Sequence, residues 1–348
     1  MKEKLVVGFM AILFIASIVV AVMSMLRAPE QPAHVQVPSL FGGADGYAVV
    51  PLFGAIRSAD EPGFAGRYSE ADGVVQRLKE MGEHPQVKAI VLRVNSPGGN
   101  VAASQELYQE VLRLKQKGIP VVVSVSDLCA SGGYYVSCGA TKIFANPGSL
   151  VGSVGVIAIF PNIQGLLQDK LAIKTRVLTS GAMKDAGSPL REMKPDEEAY
   201  FNQEIAKVYD QFFGAVKASR LNAIKEKMHD PTNLAEPPAT DEQAVEKLRS
   251  LADGRVFIGT EAKDLGLVDD VGDFQKAIDE AKRLGGLAAD APEITTKVQL
   301  GDILQFIGGE LLSSGGSDNS MGAAASETLD SVTTVRLEYL YLPGGVLK

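Results

Sequence analysis

Between residues 87 and 94 the chain reads Val-Lys-Ala-Ile-Val-Leu-Arg-Val, so both alternating sets of side chains are mostly apolar. A strand of that kind settles only between two covering layers, because either face, left open, would put Val, Ile or Leu in water. The neighbouring pattern supplies the layers. Tyr47 to Ile56 reads as a strand, and Ala71 to Met81 as a helix with Val74, Val75 and Leu78 on one face. A helix from about Ala103 to Lys117 is followed by strand signals at Pro120 to Val125, Lys142 to Ala145, Val154 to Phe160 and Ile173 to Thr179. Alternation of this sort predicts an α/β domain with mainly parallel strands. Pro195 to Met228 reads as one long helix whose stripe of Tyr200, Ile205, Val208, Phe212 and Val216 suits core or a subunit contact.

The chain has 348 residues, 46 % of them hydrophobic, which is ample for a real core. Its 34 Lys and Arg against 42 Asp and Glu leave a formal charge of −8. That acidic balance argues against nucleic acid as a partner. Two cysteines build neither a disulfide framework nor a four-thiolate metal site, and three histidines are few for an imidazole site. Cys129 and Cys138 lie in apolar surroundings and read as buried free thiols packing as small hydrophobes, with a disulfide left open.

Leu5 to Leu26 runs 22 residues without a charge. At about 1.5 Å per residue this is roughly 33 Å, enough to cross a hydrocarbon core. Lys2 and Lys4 precede it, so the expectation is a transmembrane anchor over residues 1–27 with a cytoplasmic N-terminus and an exported bulk. A cleaved signal peptide is the rival, disfavoured by the length of the run and the absence of an Ala-x-Ala site near Met23 to Leu26. Ala28 to Asp45, rich in Pro, Ala and Gly, reads as a linker. Residues 46–288 form the expected domain and 289–348 a tail. Within the tail, Ile303 to Leu312 reads as a short helix, Ser313 to Glu327 as flexible, and Val332 to Leu342 alternates like a strand. No internal repeat is visible.

Three glycine-containing loops follow expected strands, at the strand ends where parallel α/β domains build their sites. Asn95-Ser96-Pro97-Gly98-Gly99 could turn backbone N–H groups toward an anion, or serve only as a turn needing positive φ. Ala130-Ser131-Gly132-Gly133-Tyr134-Tyr135 places a hydroxyl at a sharp helix entry between residues too small to block a substrate backbone. Its bland reading is an idle N-cap serine. Ser180-Gly181-Ala182-Met183-Lys184-Asp185 offers a loop lysine, which by itself is an ordinary surface charge.

A nucleophilic serine needs a base. His34 falls in the linker, His84 at the wrong end of the strand Val87 to Val94, and His229 in a polar stretch away from every glycine loop. A lysine can replace histidine where burial lowers its pKa. Lys184 is the strand-end candidate, on condition that Asp185 points away or pairs elsewhere, since its charge would raise that pKa.

In this order the three loops, followed by Gly254-Arg255-Val256-Phe257-Ile258-Gly259 and Gly266-Leu267-Val268-Asp269, closely resemble the signal peptide peptidase A family of bacterial serine proteases, over about Tyr47 to Leu284. The resemblance implies the fold of the Clp protease proteolytic subunit and the crotonases, built of repeated ββα units. It implies Ser131 as nucleophile, Lys184 as general base and Ser153 as the hydroxyl that hydrogen-bonds the lysine. Backbone N–H groups at Gly98, Gly99 and Gly132 would form the oxyanion hole. No cofactor or metal is implied. The single copy of the domain implies a homo-oligomeric ring with sites completed between neighbours. The implied substrates are signal peptides left in the bilayer after export, cut on the exported side. Two other readings stay open: a crotonase-type acyl-CoA enzyme, disfavoured by an exported location, and a ring-forming membrane scaffold that binds peptides without cutting them. Ser153 itself also reads as a plain loop serine between two strands.

Overall fold

The computed structural model describes residues 44–58, 68–229, 238–295 and 337–340. The expected anchor, the linker as far as residue 43, the helix at 303–312 and the Gly/Ser-rich stretch lie outside these residues. Among the described residues no helix is long and apolar enough to cross a membrane.

The doubly apolar run becomes β4 (Val87–Ser96), second from the edge of a sheet ordered β1 (Gly46–Phe53), β4, β6 (Val121–Ala130), β7 (Lys142–Ala145) and β11 (Asp270–Val271). All of these pairings are parallel. The alternation decides the two faces. Ile90, Leu92 and Val94 of β4 join Val121, Val123 and Val125 of β6 in the larger core, beneath α1 (Ala71–Glu83), α2 (Val101–Gln116) and the long α4 (Pro195–Lys227). Ala89, Val91 and Val122 face the other way, onto Ala277, Ile278 and Ala281 of α7 (Phe274–Leu284). Each face carries its own buried cluster, as a strand with two apolar faces demands.

The helix expected from Ala103 begins at Val101, and that expected from Ala71 runs two residues past Met81. On α4, Phe212 and Val216 are buried and Val208 packs against the core, whereas Tyr200 is exposed. The strand expected over Tyr47 to Ile56 breaks at Gly54, where φ is 79°, into β1 and β2 (Ala55–Arg57).

Two strand expectations need correction. Val154 to Phe160 supplies only β9 (Ile157–Ala158). Ile173 to Thr179 forms no strand, and its residues are exposed throughout. Its alternation suits a ladder, but no strand among the described residues pairs with it. Residues 163–187 instead form an arm, closed at its root where the Ile163 amide donates to the Pro189 carbonyl at 2.8 Å. The Phe160 and Phe201 rings meet there at a tilt of 44°, centroids 4.5 Å apart, against Gly187 (φ 75°). The arm exposes Leu166, Leu171, Ile173, Val177, Leu178 and Met183, with Leu178 81 % exposed.

A smaller sheet covers the C-terminal end of β4. It orders β3 (Tyr68–Glu70), β2, β5 (Gly98–Asn100), β12 (Leu337–Leu340) and β9. The strand signal in the tail is thus met at Leu337–Leu340, antiparallel to β5 on one side and to β9 on the other.

Candidate active site

β6 outruns the expected end at Val125 because it changes partner midway. Val122 to Val125 pair with β7, whereas Leu128 to Ala130 pair with β8 (Leu150–Gly152). The second pairing carries the chain straight to Ser131, which enters α3 (Gly132–Ser137) at φ 52° and ψ −119°. A non-glycine residue held there stores about 1–3 kcal/mol of strain. The Ser131 amide donates to the Gly152 carbonyl at 2.7 Å, and the Ser131 carbonyl accepts from Tyr135 at 2.8 Å, so the main chain is fastened on both sides. The side chain makes no capping bond. This removes the reading of Ser131 as an idle N-cap.

α3 is anchored from below. The buried Tyr134 hydroxyl donates to the Leu267 carbonyl at 2.7 Å, while within the helix the Ser137 hydroxyl donates back to the Gly133 carbonyl at 2.8 Å. The Gly266-Leu267-Val268-Asp269 block thus serves the site from behind: Arg220 on α4 donates to the Gly266 carbonyl and to Asp269. Burial pushes the Cys129 and Cys138 thiols up to about 12, so both remain protonated, and both are free.

Two of the three glycine loops meet beside Ser131. A Cβ on Gly132 would stand 3.2 Å from the Gly98 Cα and from the Gly99 nitrogen, and 2.5 Å from the Ser104 hydroxyl. A Cβ on Gly99 would stand 2.0 Å from the Ile56 carbonyl oxygen. No side chain fits at Gly99, and one at Gly132 would push Ser104 aside and crowd the Gly98–Gly99 backbone. Ser96, which sequence reasoning passed over, shapes the loop: its hydroxyl donates to the Gly54 carbonyl at 2.6 Å and accepts from the Gly98 amide at 3.2 Å. The Gly98 N–H is therefore spent within the loop.

Ser153 follows Gly152 at φ 53°, buried, with its amide on the Arg255 carbonyl at 2.8 Å. Ser131, Ser153, Gly98, Gly99 and Gly132 thus cluster where β4, β6 and β8 end. Lys184 differs from them in burial. It is exposed on the arm, and among the described residues no hydrogen bond or ion pair engages its amine, whereas Ser131 is 1 % exposed. Asp185 meets the condition set for it by pairing with Arg191 at 2.9 Å. His84 sits just before β4 with its Nδ1 accepting from the Gln86 amide, at the end opposite Ser131, and His229 follows the end of α4. Among the described residues there is no group of three or more His, Cys, Asp or Glu able to hold a metal ion.

The chain is similar to proteins of known family. The pattern of Peptidase family S49 matches residues 113–230 and 239–288, which include Ser131, Ser153 and Lys184. A Synechocystis sp. protein, slr0021, named as a candidate protease, is 38 % identical over 223 residues, covering 64 % of this chain and 72 % of the relative. An Enterococcus faecium protein named as a candidate signal peptide peptidase SppA is 35 % identical over 60 % of this chain and 54 % of its own length. The chloroplastic serine protease SPPA of Arabidopsis thaliana is 28 % identical over 78 % of this chain and 38 % of its own length. The match thus spans about half or less of the last two relatives.

Proposed function

The chain belongs to peptidase family S49 and is a serine-type peptidase, and from that premise we propose that it cleaves extended peptides with Ser131 as nucleophile and Lys184 as general base. The observation that carries this reading is Ser131 itself: a strained serine at a strand-to-helix junction, its side chain uncapped, packed against backbone that only glycine permits. A nucleophile on such a junction projects its hydroxyl while the helix N-terminus and nearby N–H groups face the developing charge.

In the proposed reaction, Ser131 Oγ attacks the peptide carbonyl carbon as neutral Lys184 takes its proton. The tetrahedral oxyanion is met by N–H groups at Gly99 and Gly132, each donor contributing about 3–4 kcal/mol. Gly98 shapes that loop through its φ of 98°. The Lys184 ammonium then protonates the leaving amine as the C–N bond breaks. Lys184 next takes a proton from water as the water attacks the acyl-serine, and gives it to Ser131 Oγ as the ester C–O bond breaks. Ser153 orients the lysine by accepting a hydrogen bond from its amine.

Lys184 reaches a serine by oligomerisation. A buried serine and an exposed lysine on an apolar arm suit a ring in which each arm carries its lysine to a neighbour, and contiguous exposed apolar surface marks such interfaces. The substrate backbone adds as a strand between β5 and β9, the place taken in this chain by Leu337–Leu340. Signal peptides remaining in the bilayer are the proposed substrates. An anchor over residues 5–26 would hold the site beside them on the exported face.

Cleavage of a fluorogenic peptide by purified native, Ser131→Ala and Lys184→Ala protein tests the assignment. Both variants lose at least 10³-fold in kcat while keeping the native circular dichroism. Undiminished turnover by either refutes its role.

A further inference from the structure

At the root of the arm lies a cluster centred on Arg191. All five N–H donors of its guanidinium are taken. Nε donates to Asp185 Oδ2 at 2.9 Å. One terminal nitrogen donates to Glu197 Oε2 and to the Glu192 carbonyl, both at 2.9 Å. The other donates to Glu197 Oε1 at 2.6 Å and to the Asp185 carbonyl at 3.0 Å. Five acceptors in the one plane a guanidinium offers is a fully determined geometry. Glu197, in the first turn of α4, is completely buried and also accepts from the Lys194 amide at 3.2 Å. The hydrogen bonds from Arg191 hold its carboxyl down to about 2, and they likewise keep Asp185 below the usual carboxylate range.

What the clasp holds is Asp185, the residue after Lys184. The Asp185 carbonyl accepts from the Ser188 amide as well as from Arg191, and the Lys184 amide donates to the Gly181 carbonyl. The peptide unit between Lys184 and the root is therefore fixed from three sides. We propose that Arg191 is the positioning residue of the general base: it fixes where the main chain presents Lys184 and draws the adjacent carboxylate away from the lysine amine. The inference rests on Lys184 being the base. Besides Asp185 and Arg191, the charged groups around that loop are Glu192 and Lys194, with Asp196, Glu197 and Glu198 in the first turn of α4. Of the carboxylates among them, Asp185 is the one adjacent in sequence to the lysine.

A carboxylate released beside an amine stabilises the ammonium and leaves less neutral lysine at a given pH. The readout is the rising limb of kcat/KM against pH, which reports deprotonation of the base. Arg191→Met combined with Glu197→Gln, so that no charge is stranded in the core, should move that limb up by about one pH unit. The neutral-pH rate then falls about tenfold, in kcat rather than KM. Adding Asp185→Asn should return the limb to its native position. A limb unmoved in the double variant, or unmoved by the added Asn, overturns the proposal. Asp185→Asn in the otherwise native chain disturbs the fold least and tests the same point. Its limb should stay within a few tenths of a unit, because Arg191 already neutralises the carboxylate. A fall of a full unit would show that Asp185 acts on the lysine directly, and would equally overturn the proposal. Lys184→Ala separates the two readings: if that variant keeps its activity, the assignment of the base fails, whatever the Arg191 variants do.

Discussion

Ser131 and Ser153 leave adjacent parallel strands at the same level, each one residue beyond the pair Ala130 and Gly152, and each in the left-handed region at φ 52° and 53°. The Ser131 amide donates to the Gly152 carbonyl, which locks the two exits together. β10 (Val256–Ile258) runs antiparallel on the far side of β8, and the neighbouring Arg255 carbonyl accepts from the Ser153 amide. The two hydroxyl residues are thus set by one ladder, so displacing either strand displaces both.

That locked geometry has a cost which can be measured. Ser131→Ala and Ser131→Gly both remove the hydroxyl, but only glycine occupies φ 52° without a Cβ penalty. Ser131→Gly should be more stable than Ser131→Ala by about 1 kcal/mol in urea unfolding, with both inactive. Equal midpoints would show that the junction is unstrained.

If lysine and serine come from neighbouring chains, two dead variants should rescue one another. Ser131→Ala and Lys184→Ala chains, dissociated, mixed equally and reassembled, should recover about a quarter of native activity, because one interface in four then pairs an intact serine with an intact lysine. A mixture that stays inactive would place both members of the dyad in one chain. Leu178→Asp, on the most exposed apolar residue of the arm, should lower the oligomer mass in light scattering.

The groove between β5 and β9 should bind a strand supplied from outside. A peptide of residues 335–342 should inhibit a chain ending at residue 336 competitively, and N-methylation at Tyr339, paired with Gly99, should weaken it about tenfold. Indifference to N-methylation would mean that the peptide does not bind as a strand.

Glu197 ties the arm's root to acid stability. Its carboxyl lies near 2 in the fold against an ordinary 4.5, so the stabilisation is fully present above 4.5 and is lost as pH falls from there through 2. Urea midpoints should drop between pH 5 and pH 3 in the native protein, with a shallower slope in Glu197→Gln. Equal slopes would remove Glu197 from the acid response.

Much of the layered architecture was legible because it depends on local periodicity. Val87 to Val94 had to lie between two layers, and the helices near Ala71, Ala103 and Pro195 began within two residues of where their patterns placed them. Ile173 to Thr179 misled for the same reason. Its alternation is a sound strand signal, but a strand exists only where a partner is present, and no local pattern records that. β6 was cut short at Val125 because Ser126 and Asp127 interrupt its apolar run, while β8 carries the pairing onward. Arg191 went unnoticed because its acceptors are main-chain carbonyls and carboxylates gathered by the fold of one loop, and none of them forms a sequence motif.

The sequence by itself determined the parallel α/β plan and supplied the candidates for the chemistry, a serine and a lysine in glycine-containing loops with no histidine beside them. These follow from side-chain period and from a census of functional groups. Only the tertiary structure decided that Ser131 is strained and fastened to Gly152, that the Ser96 hydroxyl reaches the Gly54 carbonyl, and that Lys184 is exposed while Ser131 is buried. Each of these depends on where a distant strand or loop comes to rest. Such long-range contacts are set by how the whole chain packs, and neighbouring residues carry no trace of them.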